Sequence, residues 1–237
     1  MSNFELHCGD AISMMKSLPD SSIDMICTDV AYESLEKHRK IGTTTRLKVS
    51  EGSSNEWFEI FKNERFVEFF EEAYRVMKKN SHLYFFCDGE TSRVAVPIGE
   101  NAKFHFWNEI VWVKTTTKPG NSLDKSIRIG LGFHYRRSKE YILFFEKGKK
   151  KLNNLSISDV LPFPPVSKGY PTEKPVELIK ILINQSTMVG DVVLDPFMGS
   201  GSAGVAATSL GRSFIGNDIK KSAVELARQR LSSVVQP

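Results

Sequence analysis

The sequence predicts an α/β fold, one domain with a mostly parallel central sheet and helices on both faces. Two observations carry this. Short β-like runs alternate with helical ones through much of the chain, the pattern that layers helices against a parallel sheet. The C-terminal third reads strand, glycine-rich turn, helix, strand, helix, a unit of the doubly wound kind. A length of 237 residues suits one such domain and is short for two.

In chain order, the first clear strand is Ile23 to Thr28, after the turn-like Pro19-Asp20-Ser21-Ser22. A helix from about Arg65 to Lys79 follows, because Phe66, Phe69, Phe70, Ala73, Val76 and Met77 keep helical spacing. The strand His82 to Cys87 comes next, then a helix over Thr91 to Asn101 that Pro97 weakens. Phe104 to Val113 and Glu140 to Glu146 are aromatic and β-branched, as strands are. A helix over Lys174 to Ser186 leads to the strand Asp191 to Leu194. The helix Gly201 to Leu210, the strand Ser213 to Gly216 and a helix from Lys220 to Val234 complete the chain. Three stretches lack a clear period: Glu33 to Glu64, Lys114 to Arg137, and the Lys/Pro/Ser-rich Gly148 to Gly169. Irregular segments of this length tend to be functional loops or disorder.

No apolar run is long enough to span a bilayer, and the N-terminus lacks the basic-then-apolar order of a signal peptide. A cytoplasmic location is expected. Cys8, Cys27 and Cys87 are widely spaced and odd in number, which suggests neither a disulfide framework nor a metal site. The net charge of +4 says little. Its distribution says more: Lys37, His38, Arg39 and Lys40, then Arg46 and Lys48, then Arg136 and Arg137 form basic runs in the irregular stretches. They are candidate phosphate contacts, although a charge run is also an ordinary solvated loop.

Asp195-Pro196-Phe197-Met198-Gly199-Ser200-Gly201-Ser202 sits between a strand and a helix, where ligands bind in open α/β sheets. Glycines there admit positive φ and a close ligand approach. Asp218 ends the next strand, where an acid can hydrogen-bond ribose hydroxyls. Turn and acid together indicate a nucleoside-containing cofactor. The third glycine of the dinucleotide fingerprint is missing, so a nucleotide-dependent oxidoreductase is the weaker reading. Thr28-Asp29-Val30-Ala31-Tyr32 closes the first strand with an acid and an aromatic. An aspartate at that edge can accept from an amino group, and a tyrosine can stack on a planar ring. An ordinary turn fits these residues too.

Taken together, these motifs resemble the N4-cytosine/N6-adenine DNA methyltransferases in their permuted β-group order, catalytic segment first and cofactor turn last. Leu6-His7-Cys8-Gly9-Asp10 is similar to that family's opening, Asp29 to Tyr32 to its catalytic tetrapeptide, Gly169 to Leu178 to its helix-start motif, and Asp195 to Gly201 to its cofactor motif. The resemblance spans essentially the whole chain. It implies a Rossmann-like methyltransferase domain, S-adenosyl-L-methionine as cofactor and double-stranded DNA as partner. Homodimers are common in that family, and the sequence carries no signature of one.

By the same resemblance, Asp29 and the Val30 carbonyl hold the amino hydrogens of a flipped base on which Tyr32 stacks. Asp218 binds the cofactor ribose, Asp10 lies near its adenine, and Thr172 and Lys174 lie near its carboxylate. Asp195, Phe197, Gly199, Gly201 and Ser202 line its pocket. Aspartate at position 29 favours N6 of adenine, with N4 of cytosine as the alternative. One departure stands out: the family usually has two prolines where this chain has Val30-Ala31. Proline fixes backbone shape and supplies no reacting group, so the alternative it raises is a weakly active or non-catalytic DNA-binding relative. No recognition domain is inserted before Gly169, so DNA contacts are expected from the loops at about 33–64, 114–137 and 148–169.

Overall fold

The computed structural model describes residues 4–35, 59–116, 127–128, 135, 137–166, 170 and 172–235. They form one eight-stranded sheet. In chain order the elements are β1 (Phe4–Cys8), α1 (Ala11–Ser17), β2 (Ile23–Asp29), a 3₁₀ turn (Asn63–Arg65), α2 (Phe66–Val76), β3 (Met77–Cys87), α3 (Gly89–Asn101), β4 (His105–Lys114), β5 (Lys139–Lys147), β6 (Val160–Phe163), α4 (Val176–Ser186), β7 (Val192–Asp195), α5 (Ser202–Ser209), β8 (Ser213–Asp218) and α6 (Lys221–Val235). The strands lie in the order β1-β8-β7-β2-β3-β5-β4-β6.

The sheet is mostly parallel, as expected, with β5 antiparallel to both neighbours. Its alternation fills two cores. Leu83, Phe85 and Cys87 of β3 face one side with Phe66, Phe69 and Phe70 of α2, while Tyr84 and Phe86 face the other with Leu178 and Ile179 of α4 and Ala203 of α5. The three α2 phenylalanines are fully buried, and each burial stabilises by on the order of 2–3 kcal/mol.

Three elements go beyond the sequence reading. β1 and α1 precede the first expected strand. Among the described residues β1 is a sheet edge paired only with β8, and Asp10 caps α1 by accepting the Ser13 amide at 2.9 Å. β6 lies inside the 148–169 stretch and pairs in parallel with β4. That stretch is also tied to α4, since Asn153 Nδ2 donates to the Asn184 carbonyl at 2.7 Å.

Boundaries shift for physical reasons. Met77 starts β3 instead of extending α2, because it pairs with Ile23 in the parallel ladder. Val76 and Met77 enter the same core, so helical spacing alone could not separate them. α3 continues through Pro97, which lies on its exposed face. Gly99 on the buried face brings the helix so close that a Cβ there would lie 2.7 Å from the Phe145 ring. None of the helices among the described residues is long and apolar enough to cross a membrane.

Candidate active site

From β7 the chain moves outward to β8, whereas from β2 it moves the other way to β3. β7 and β2 are neighbours, so their boundary is the switch point where ligands bind in such sheets. β2 ends at Asp29 and β7 at Asp195. One cleft opens there, lined by Asp10, Asp29, Val30, Tyr32, Thr172, Lys174, Asp195, Phe197, Gly199, Ser202 and Asp218. The sequence-derived catalytic and cofactor residues therefore come together, with Gly201 as the exception.

Gly201 adopts φ 78° at the start of α5, and a Cβ there would sit 2.8 Å from that of Ala227. Its part is to let α5 pack closely against α6. Gly199, at φ 49°, does face the cleft, with the Tyr170 ring 3.3 Å from where a Cβ would be. Its amide donates to Asp218 Oδ2 at 3.0 Å, and the Lys220 amide donates to Oδ1 at 2.8 Å. Asp218 thus holds the turn from below, and burial pushes its carboxyl up. Thr172 adopts φ 58°, a strained conformation for a β-branched residue.

The Val30-Ala31 turn is held from a segment distant in sequence. The Phe61 amide donates to the Ala31 carbonyl at 2.8 Å, and Tyr32 bridges to Phe61. The Phe61 ring packs edge-on against Phe197, with centroids 4.8 Å apart. Arg65 lies over the Phe61 ring, 5.0 Å from its centroid, and pairs with Asp10 at 2.8 Å. A backbone hydrogen bond and a bridge thus hold this turn, where the family pattern has two prolines.

Asp29 accepts a hydrogen bond from Lys174 Nζ. Burial and the negative Glu140 push its carboxyl up, against the pull of Lys174. Asp195 is 5 % exposed, and burial pushes it up to about 7 although Thr28 and the Phe197 amide donate to it. Tyr170 is pushed up to about 12 by burial.

Sequence reasoning missed Glu140, Phe61, Arg65 and Glu173, which line the cleft, and Arg230, which donates to Glu173 at 2.6 Å. Glu140 reaches the cleft because β5 is antiparallel and so presents its first residues beside the end of β3. Of the expected DNA contacts, Lys37, His38, Arg39, Lys40, Arg46, Lys48 and Arg136 lie outside the described residues. Arg137 is described, and its guanidinium pairs with Asp88 at 3.1 Å.

Among the described residues, carboxylates outnumber cations along the cleft: Asp10, Asp29, Glu59, Glu140, Glu173, Asp195 and Asp218 line it with Arg65 and Lys174. That balance suits a ligand with net positive charge, as a sulfonium amino acid is. Residues 23–229 match the family model for N6/N4 DNA methylases. The chain belongs to that family.

Among its relatives, "Putative methylase YubD" of Escherichia coli strain K12 is 31 % identical to this methylase over 227 residues, covering 95 % of this chain and 89 % of that one. Solved structures share the fold. The Thermus thermophilus protein TTHA0409, complexed with S-adenosyl-L-methionine, superposes with a TM-score of 0.68 at 20 % identity, covering 98 % of this chain and 94 % of its own. The cytosine-N4-specific PvuII DNA methyltransferase superposes with a TM-score of 0.69 at 17 % identity, covering 99 % and 92 %.

Proposed function

We propose that this DNA methylase acts as one S-adenosylmethionine-dependent domain that methylates N6 of an adenine flipped out of double-stranded DNA. The observation that carries the reading is the shared cleft: Asp29 at the end of β2 opens onto the same space as the Asp195–Ser202 turn. A base entering from the Asp29 side would meet a cofactor lying along that turn.

Asp218 and Asp10 would hold the hydroxyls and the adenine of the cofactor, and Asp195 its ammonium. Gly199 and Phe197 would give the wall against which it lies. Bound there, S-adenosylmethionine supplies an activated methyl carbon. Tyr32 would pack on the flipped base. The Asp29 carboxylate and the Val30 carbonyl would accept the two amino hydrogens, which turns the nitrogen lone pair out of ring conjugation toward the methyl carbon. Asp29 then takes the proton that leaves as nitrogen gains its fourth bond. Positioning and electrostatics supply most of such a rate. The basic runs around Lys37–Lys40 and Arg46–Lys48 would neutralise phosphates.

The preference for adenine rests on the aspartate at position 29. The fold is common to enzymes of both base preferences, so it does not favour either. The test is tritiated methyl transfer to unmethylated duplex DNA with nucleoside mass spectrometry, run beside Asp29→Ala. The reading expects N6-methyladenine from the wild type and none from the variant. N4-methylcytosine would overturn the base. Cofactor binding without transfer to any DNA would favour the non-catalytic relative suggested by Val30-Ala31.

A further inference from the structure

Lys174 precedes α4 and reaches across the cleft to the end of β2. Its side chain is 10 % exposed. An ammonium has three protons to donate, and protein acceptors surround this one: Asp29 Oδ2, Glu140 Oε2 at 3.5 Å and the Thr172 carbonyl at 3.4 Å. Its nitrogen also lies 5.7 Å from the centroid of the Phe86 ring. Glu140 in turn accepts from Lys114 Nζ at 2.5 Å. Four charges of alternating sign thus run through the site as Asp29, Lys174, Glu140 and Lys114.

We infer that Lys174 is a positioning residue for Asp29, held in place by Glu140, and not a ligand of the cofactor carboxylate. The inference rests on the proposed role of Asp29. With Oδ2 engaged by Lys174, the rotamer of Asp29 is set and Oδ1 is left to accept from an amino group. Removing the ammonium would leave Asp29 beside Glu140 and Asp195 with only Lys114, which Glu140 already holds, as a compensating cation. A half-buried carboxylate so placed protonates or turns away. A protonated Asp29 would present an O–H to an amino group that must itself donate.

The charges around Asp29 agree with this. Lys174 and Lys114 act on it as cations and Glu140 as an anion, and Asp29 acts in turn on Asp195. The nearby Tyr32 hydroxyl and the Cys27 and Cys87 thiols are pushed up by burial and stay neutral. Burial opposes the charge on Lys174, but Asp29 and Glu140 together push it well up, so the ammonium keeps its charge. Burial likewise opposes charge on Glu140, and Lys174 and Lys114 bring it below its usual range.

The test uses the full chain with Lys174→Met, Lys174→Arg and Glu140→Gln. Calorimetry gives the affinity for S-adenosylmethionine and for 5′-methylthioadenosine, which lacks the amino-acid part. Single-turnover transfer to duplex DNA is followed from about pH 5.5 to about pH 9, a span that brackets a raised carboxylate. For Lys174→Met the inference expects cofactor affinity within about 3-fold of wild type and a rate at saturating cofactor reduced by about 100-fold or more. The acid limb of its rate profile should move to higher pH, because Asp29 loses the charge that keeps it ionised. Lys174→Arg should restore most of the rate, and Glu140→Gln should show a smaller loss of the same kind. If Lys174→Met misfolds, Glu140→Gln carries the same readouts at smaller amplitude. Weaker binding of S-adenosylmethionine but not of 5′-methylthioadenosine, with the saturated rate intact, would make Lys174 a cofactor ligand and overturn the inference. An unchanged rate and profile would overturn it as well. If Asp29→Ala still transfers methyl groups, it is the role of Asp29 itself that fails, an outcome read separately.

Discussion

Thr28 and Asp195 meet across the boundary between β2 and β7, where the Thr28 hydroxyl donates to Asp195 Oδ1 at 2.8 Å. The contact joins the strand that ends in Asp29 to the strand that opens the glycine turn. It places a nearly inaccessible carboxylate at the switch point of the sheet.

That carboxylate should make both stability and cofactor affinity depend on pH. The Asp195 carboxyl is raised from 3.8 to about 7, so the folded protein binds its proton more tightly than the unfolded chain does. The folded state is therefore favoured below about pH 4 and loses that advantage as pH rises through about 7, by up to roughly 4 kcal/mol. Asp195→Asn should raise the urea midpoint at about pH 8 and leave it nearly unchanged at about pH 4. A cationic cofactor prefers the ionised form, so wild-type affinity for S-adenosylmethionine should weaken as pH falls below about 7. Equal affinities on either side of that value would mean that Asp195 does not face the cofactor.

His82 carries the opposite dependence. It is buried in the second core, facing the Ser186 hydroxyl at 2.8 Å and the Lys150 carbonyl at 3.0 Å. Burial lowers it from 6.5 to about 4. Its contribution is whole above about pH 6.5 and is lost as pH falls toward about 4, on the order of 3 kcal/mol. Denaturant titrations should show His82→Gln losing less stability than wild type over that interval.

Arg230 should act on cofactor affinity without touching the cleft floor. From α6 it donates to the Ser200 carbonyl at 2.8 Å and to Glu173 at 2.6 Å, joining the glycine turn to the segment that carries Thr172 and Lys174. Arg230→Met should weaken S-adenosylmethionine binding by about 10-fold, the scale of one charged hydrogen bond. Calorimetry giving wild-type affinity would show that the two segments hold their places independently.

Gly201→Ala should destabilise the fold by about 2–3 kcal/mol, since it adds a Cβ at positive φ and drives it into Ala227. A thermal midpoint equal to wild type would show that α6 can shift to make room.

Legibility in the sequence followed the range of the interactions. Asp195–Ser202 was readable because a strand, two nearby glycines and a helix are contiguous, and the backbone requirement of such a turn is local. Tyr32 and Asp29 were readable for the same reason, at the end of an apolar strand. β1 and α1 were not, because a short edge strand beside a seven-residue helix shows little period. Nor was β6, whose four residues include a proline and gain their strand character only by pairing with β4.

The motif order and the acid at position 29 were therefore enough to indicate an α/β methylase, whose proposed chemistry lies at the carboxyl edge of the sheet. Which groups surround that acid was decided only by the tertiary structure. Asp29 and Lys174 are far apart in the chain, Glu140 arrives on an antiparallel strand, and Phe61 meets Ala31 from a segment distant in sequence. No local pattern encodes such meetings, because they arise when separate segments share one sheet edge and bury their charges against one another.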